Sequence, residues 1–319
     1  DKRDGFAENT MTGTREDDID SLAVRGALRF QPADSFEVVL RGDYSRDRTH
    51  AGALDILDNG AFAETPLADA DPWDRKIAKD QDTVQDRDVW GVSGEIKWGV
   101  GNGELVSLTA YRGFKWSNIA DNDYTVLDML ASGIHEDQTQ FSQEFRYGGT
   151  AGALTYVAGL YYFHQSLDTE ARSRIGPGFE IYPEQVTASI FGNVDTDSFA
   201  AFAHGDYAFS DTLSVTAGLR YTYEKKLLVH SQAGDPWEVL LPTTAPRNIR
   251  RSEDDVSPTL SLNYKPADDM LLYARYARGF KSGGFNVFSV TSTDDARYDP
   301  EHVDSFELGF KAGLPGVKG

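Results

Sequence analysis

Hydrophobic and polar residues alternate with a period of two along most of this chain. From Leu213 to Glu224, Leu, Val, Ala and Tyr occupy every odd position, and Ser, Thr, Arg and Glu occupy most even positions. Successive side chains of a β-strand point to opposite faces of the sheet. The pattern therefore predicts a strand with one apolar and one polar face.

The same alternation recurs along the whole sequence. We count about eleven such strands of ten or more residues, the length that a tilted strand needs to cross a bilayer. The alternating segments begin at Leu22, Phe36, Trp90, Val106, Phe141, Leu154, Phe199, Leu213, Leu260, Leu271 and Phe306. The sequence thus predicts an all-β protein built from long antiparallel strands.

The connections between these segments alternate between short and long. Tight turns are predicted at 31–35, 99–103, 148–152, 210–211 and 266–269. Long polar loops are predicted at 48–86, 117–137, 166–197, 227–253 and 282–302. Short turns at one end and long loops at the other are typical of a transmembrane β-barrel, with the turns periplasmic and the loops extracellular.

A soluble β-sandwich is the alternative fold. Sandwich strands are usually five or six residues long, and their connections are short at both ends. Aromatic residues such as Trp98, Trp116 and Tyr223 end several predicted strands. Trp and Tyr favour the interface between membrane and water, so their placement supports the barrel.

Composition excludes several classes of protein. The 319 residues carry a formal net charge of −20, which argues against nucleic acid as a partner, and the absence of Cys excludes disulfides. No apolar stretch is long enough for a transmembrane helix. The chain begins at Asp1 without Met and ends at Gly319 just after a strand, so we expect both ends to be truncated.

No enzyme, cofactor or metal motif emerges from the sequence. The glycine-rich run 99–103 is followed by an alternating strand rather than a helix, which favours a turn over a phosphate-binding loop. The six His residues show no metal-ligand spacing. We interpret the acidic pairs Asp254–Asp255 and Asp294–Asp295 as solvated loop charges, with a loop calcium site as the alternative.

Three runs near the C-terminus resemble the barrel of TonB-dependent receptors. They are 256–266, 272–286 and 298–311, and they occur in the order found in that family. The second contains a Gly-Phe-Lys-x-Gly-Gly-Phe run, and the third is similar to a Pro-Glu-x-x-x-x-x-Glu-x-Gly-x-Lys signature. The matching residues are Gly279, Phe280, Gly283, Gly284, Phe285, Pro300, Glu301, Glu307, Gly309 and Lys311.

The resemblance implies a fold and a function. Family members are active importers of the Gram-negative outer membrane, with a TonB box, a globular plug and about 22 strands, and such transporters have a plugged lumen. We therefore expect 1–319 to be a partial barrel domain, about half of the strands, without plug or signal peptide. The expected partners are TonB, through the missing N-terminal part, outer-membrane lipid, and a scarce ligand such as a ferric siderophore or other iron complex.

Two further classes remain as alternatives, namely a passive porin-like channel and a soluble β-rich binding protein. For an importer, ligand contacts are expected in the long loops, where aromatic and basic side chains suit an anionic, partly apolar ligand. The polar strand faces, rich in Arg, are interpreted as hydrated or plug-contacting walls. The candidate contacts are His50, Trp73, Arg75, Trp237, Arg247, Arg250 and Arg251.

Overall fold

The computed structural model describes residues 1–55, 73–267, 269–288 and 296–313. Eleven long strands join in chain order as antiparallel neighbours of one sheet. The two-residue strand Lys2–Arg3 pairs with the first of them and makes the sheet twelve-stranded. The long strands are β1 (Ile19–Ala33), β2 (Phe36–His50), β3 (Val84–Val100), β4 (Gly103–Asp121), β5 (Leu130–Ala151), β6 (Leu154–Ile175), β7 (Val186–Ala208), β8 (Leu213–Ala233), β9 (Thr244–Ala267), β10 (Met270–Lys281) and β11 (Glu301–Ala312).

Two smaller sheets accompany the large one. Ala7–Asn9 pairs antiparallel with Arg15–Glu16 and parallel with Lys76–Ile77. Gly284–Phe285 pairs with Arg297–Tyr298 between β10 and β11. Within the described ranges, no helix is long and apolar enough to cross a membrane.

One face of the large sheet is apolar along successive strands, which we call the apolar face. Leu160 on β6 is opposite Ala201 on β7, which is opposite Tyr221 on β8. Large side chains on this face are exposed, for example Leu28 at 74% and Leu308 at 86%. A continuous exposed apolar surface of this size marks contact with a membrane or a partner.

The apolar face has a sharp upper boundary. On β6 it is apolar from Leu154 to Tyr162 and polar from His164 onwards. The apolar stretch matches the roughly 9–11 residues of a membrane-spanning strand. Tyr162, Phe199 and Tyr223 are aligned across β6, β7 and β8 at the boundary, and the rings of the first two are 4.8 Å apart. This row fits an interfacial aromatic belt.

The opposite face, the polar face, carries ion pairs between neighbouring strands and between strands that are one strand apart. Arg29 contacts Glu37 at 2.5 Å, and Arg112 contacts Asp43 at 2.8 Å. Such half-exposed pairs contribute little stability individually. They balance the charges of a wall that faces water, as the alternation in the sequence predicted.

Connections at the two ends of the sheet differ as predicted. At the lower end, where β1–β2, β3–β4, β5–β6, β7–β8 and β9–β10 are joined, the chain turns within a few residues. Gly101 and Gly152 adopt φ of 61° in two of these turns, a conformation that glycine reaches without strain. The glycine-rich run 99–103 is therefore a hairpin turn, in agreement with the prediction.

At the upper end the predicted long loops were wrong in their extent. Much of 117–137, 166–197 and 227–253 is strand, because β4 continues to Asp121, β6 to Ile175 and β8 to Ala233. Above the membrane boundary both faces contact water or other polar groups. The alternation therefore disappears, although the backbone pairing continues.

We predict that a methyl group at Gly309 destabilises the sheet. A Cβ on Gly309 would come within 3.0 Å of the ring of Tyr273 on β10, whose hydroxyl donates a hydrogen bond to Glu307 at 2.5 Å. The ring must move, and this kind of overpacking costs about 1–3 kcal/mol. Gly309→Ala should therefore lower the guanidinium midpoint for unfolding of the intact protein in lipid vesicles.

Gly279→Ala is the matched control for this substitution. Gly279 lies on the same face of the neighbouring strand, and the nearest atom to an added Cβ there is the carbonyl oxygen of Val303 at 3.9 Å. Its free energy of unfolding should change by no more than that of an ordinary surface substitution, about 0.5 kcal/mol, so its midpoint should stay close to that of the unmodified protein. Equal midpoints for the two variants would contradict the explanation.

Candidate functional site

The described parts of the connection between β10 and β11, residues 282–288 and 296–300, fold back onto the upper polar face. Ala296 packs with Leu228 on β8 and Ile249 on β9, and the three are 3%, 0% and 9% exposed. Phe285 and Val287 pack against the same cluster. This small apolar core holds both described parts of the connection against the polar face.

Two cations of the polar face bind the same connection. Lys226 Nζ donates hydrogen bonds to Ser282 Oγ at 2.8 Å and to the carbonyl oxygen of Gly283 at 2.7 Å. Arg251 donates to the carbonyl oxygen of Tyr298 at 2.5 Å and pairs with Glu253 at 2.9 Å. Hydrogen bonds from charged donors are stronger than neutral ones, so the position of the connection is well determined.

This packing explains the two adjacent glycines of the family motif. A Cβ on Gly283 would come within 3.0 Å of the Arg251 guanidinium and of the Tyr298 carbonyl oxygen. A Cβ on Gly284 would collide with the ring of Tyr298. Both glycines are needed because the backbone passes directly against these side chains.

The connection between β8 and β9 is also folded inward, around Asp235. Leu241 packs against Ala188 and Ile190 of β7. Asp235 is 2% exposed and accepts hydrogen bonds from the Tyr182 hydroxyl and from the backbone N–H groups of residues 239–241. Burial favours a higher pKa for Asp235, but these hydrogen bonds outweigh it and hold the pKa below its ordinary value.

Tyr182 brings an aromatic pair to this surface. Its ring stacks on Trp237, with centroids 4.5 Å apart and planes inclined by 28°. Tyr182 is 4% exposed and Trp237 is 61% exposed. The pair therefore presents one indole face to solvent at the upper end, supported from below by a buried ring.

A buried ion pair fixes the segment that leads into β3. Lys79 Nζ is 2.7 Å from Glu16 Oε2, and the two side chains are 1% and 0% exposed. Lys79 also donates to Thr83 Oγ1 at 2.9 Å, and the Asn9 amide bonds the carbonyl oxygen of Lys79. Breaking a buried pair leaves an uncompensated charge, so these residues are structural.

Among the predicted contacts, His50 is the last residue of β2 rather than a loop residue. Its Nδ1 lies 3.1 Å from Asp18 Oδ2, and its backbone N–H bonds the same carboxylate. Trp73 is 82% exposed, and the carbonyl oxygen of Arg75 accepts a hydrogen bond from the Glu8 N–H. His50 thus holds the start of β1, whereas most of the Trp73 side chain is exposed to solvent.

The three arginines that were predicted to cluster in a loop lie on β9 instead. Arg247 is opposite His230 and Arg251 is opposite Lys226, both on the polar face. Arg250 is opposite Leu227 and is exposed on the other face. The correction follows from strand geometry, since residues separated by an odd number point to opposite sides.

The adjacent acids Asp254 and Asp255 are also on β9 and are not both solvated. Asp255 is 6% exposed and lies 3.1 Å from Nε2 of His302, and it accepts a hydrogen bond from Ser257. The pair Asp294–Asp295 lies outside the described residues. Sequence reasoning missed Tyr182, Lys226 and Asp235, because no local pattern marks contacts between separate connections.

The architecture defines a class of protein. An antiparallel sheet with an apolar band of membrane height, an aromatic row at its boundary and a polar inner wall is an outer-membrane β-barrel. The family model described as TonB dependent receptor-like, beta-barrel, matches residues 8–317, so the chain belongs to the TonB-dependent receptor family. That family consists of outer-membrane receptors and transporters of Gram-negative bacteria rather than enzymes.

Similar proteins share this fold. The chain is 23% identical to a pesticin receptor of Yersinia pestis over 163 residues, 50% of this chain and 22% of that protein. The ferric yersiniabactin uptake receptor FyuA from Yersinia pestis aligns with a TM-score of 0.78 and 18% identity, over 98% of this chain and 46% of that chain. The siderophore receptor PiuA from Acinetobacter baumannii gives 0.67 and 12%, over 93% and 48%. The chain thus spans about half the length of each of these solved structures. Its match to the curated pesticin receptor covers a smaller share of that protein.

We predict that Asp235 is required for the shape of the β8–β9 connection. Asp235→Ala removes the acceptor for three backbone N–H groups and for Tyr182. A lost buried hydrogen bond costs about 1–3 kcal/mol. Amide hydrogen exchange at residues 239–241 of the intact protein should therefore accelerate on the order of 10- to 100-fold.

Glu238→Ala provides the control within the same connection. Glu238 accepts only the Thr243 N–H among the described contacts, at 2.9 Å. Exchange at residues 239–241 should stay close to the unmodified rate in this variant. Similar acceleration in both variants would mean that Asp235 has no special role.

Proposed function

We propose that this protein belongs to a receptor that imports a ferric siderophore or another iron complex across the outer membrane, driven by TonB. The proposal is supported by the family match over residues 8–317 and by the likeness to receptors that are themselves described as siderophore receptors. In this proposal, residues 1–319 form a partial barrel domain and the plug belongs to the remainder of the protein.

The upper polar face suits a ligand that combines anionic and apolar groups. Trp237, in the connection between β8 and β9, offers an exposed ring that is stacked on Tyr182. Arg247 lies on the polar face of β9, opposite His230 of β8. A guanidinium group forms paired hydrogen bonds with carboxylate or phenolate oxygens, while an indole covers apolar parts of a chelator. Trp73 and Arg75 remain candidates for the same role from the β2–β3 connection.

A passive channel is the competing function, and energy coupling separates the two. We expect cells that carry the intact protein to accumulate radiolabelled iron supplied as a ferric siderophore, and to lose that accumulation when TonB is deleted or the proton gradient is collapsed. Accumulation that persists without TonB would instead support diffusion through an open barrel. Cells without the protein give the background.

Substitution of Arg247 tests the ligand surface directly. Arg247→Ala should weaken binding of the ferric siderophore about tenfold, equivalent to roughly 1.4 kcal/mol, as measured by fluorescence titration of the intact receptor. Arg250→Ala, the matched control three residues along the same strand, removes the same charge from the opposite face and should leave affinity within about twofold. Equal losses would indicate an effect of net charge rather than contact.

A further inference from the structure

Three carboxylates from two separate segments of the chain meet at the upper end of the sheet. Asp80 lies in the segment before β3, Asp121 ends β4, and Asp123 lies in the connection between β4 and β5. One oxygen from each falls within 4.8 Å of the other two. Like charges at this distance repel strongly where water is limited, so the arrangement needs a compensating charge.

Asp121 gives independent evidence of a ligand. Its side chain is 0% exposed, and its Oδ1 accepts the N–H groups of Asp123 at 3.0 Å and Tyr124 at 2.7 Å. Its Oδ2 is buried as well, and no hydrogen bond from the described part of the chain reaches it. Buried polar atoms nearly always have a partner, and Asp121 is one of the three carboxylates that converge here.

Nearby cations leave much of this negative charge uncompensated. Arg174 on β6 approaches Asp80 only to 3.8 Å and Asp128 to 3.5 Å. Lys79 is bound to Glu16. A bound cation would relieve both the repulsion and the desolvation of these groups.

We propose that Asp80, Asp121 and Asp123 form a calcium site that joins the start of β3 to the β4–β5 connection. All three ligand atoms are carboxylate oxygens, and calcium takes six to eight oxygen ligands from carboxylates, carbonyls and water in flexible geometry. Magnesium demands a near-ideal octahedron, and transition metals favour nitrogen or sulfur ligands. The site is separate from the ligand surface around Trp237 and does not depend on the imported cargo.

Two isosteric substitutions test the site. Asp121→Asn keeps the carbonyl oxygen that accepts the two backbone N–H groups, and Asp80→Asn removes a carboxylate with few structural contacts. Asp168→Asn is the control, because Asp168 lies on β6 away from the cluster and is bound only by the Asn193 amide, at 2.7 Å, among the described contacts. Each variant of the intact protein is purified in detergent and stripped with a chelator.

Calcium chloride is then titrated by calorimetry, and thermal unfolding is followed with and without the ion. The unmodified protein and Asp168→Asn should bind calcium and unfold at a higher temperature in its presence. Each cluster variant should bind at least about tenfold more weakly and lose most of the temperature shift. If all four proteins respond alike, or the unmodified protein does not respond, the proposal is wrong. An equal response to magnesium chloride would overturn the assignment to calcium.

Discussion

Backbone pairing between neighbouring strands is the constraint on which the rest of this structure depends. Inside a bilayer no water can satisfy an N–H or C=O group, so each must bond to the adjacent strand. β5 and β6, each 22 residues long, pair along their whole length. The register of this pairing decides which side chains meet lipid, because a shift by one residue would exchange the two faces. The aligned row of Tyr162, Phe199 and Tyr223 is a direct result.

The same pairing continues above the membrane and gives the upper connections a rigid base. The two inward-folded connections need only small apolar clusters, around Leu228 and around Ala188, because the strands beneath them are already fixed. Specific polar contacts then determine their shape. Lys226 and Arg251 hold one connection from the polar face, and Asp235 organises the backbone of the other. Loops on a rigid scaffold are where binding residues are usually found.

Sequence reasoning succeeded where lipid imposes a pattern and failed where it does not. The strands, their order and the lower turns follow from period-two alternation, which requires one face to be apolar. Above the boundary that requirement ends, so 117–121 and 247–251 looked like loops although both are strand. Contacts such as Tyr182 with Asp235, or Asp80 with Asp121, depend on register between distant segments. The motif glycines were recognisable as a motif, but only Arg251 and Tyr298 explain why Gly283 and Gly284 must be glycine.

A net charge of −20 is compatible with the anionic ligand that is proposed for the upper surface. Two acids there are already compensated, since Glu253 pairs with Arg251 and Glu224 with Lys226. Charges beyond about 8 Å are screened at physiological ionic strength, so the total charge acts only weakly on a ligand at the surface. Local groups therefore decide whether binding is favourable.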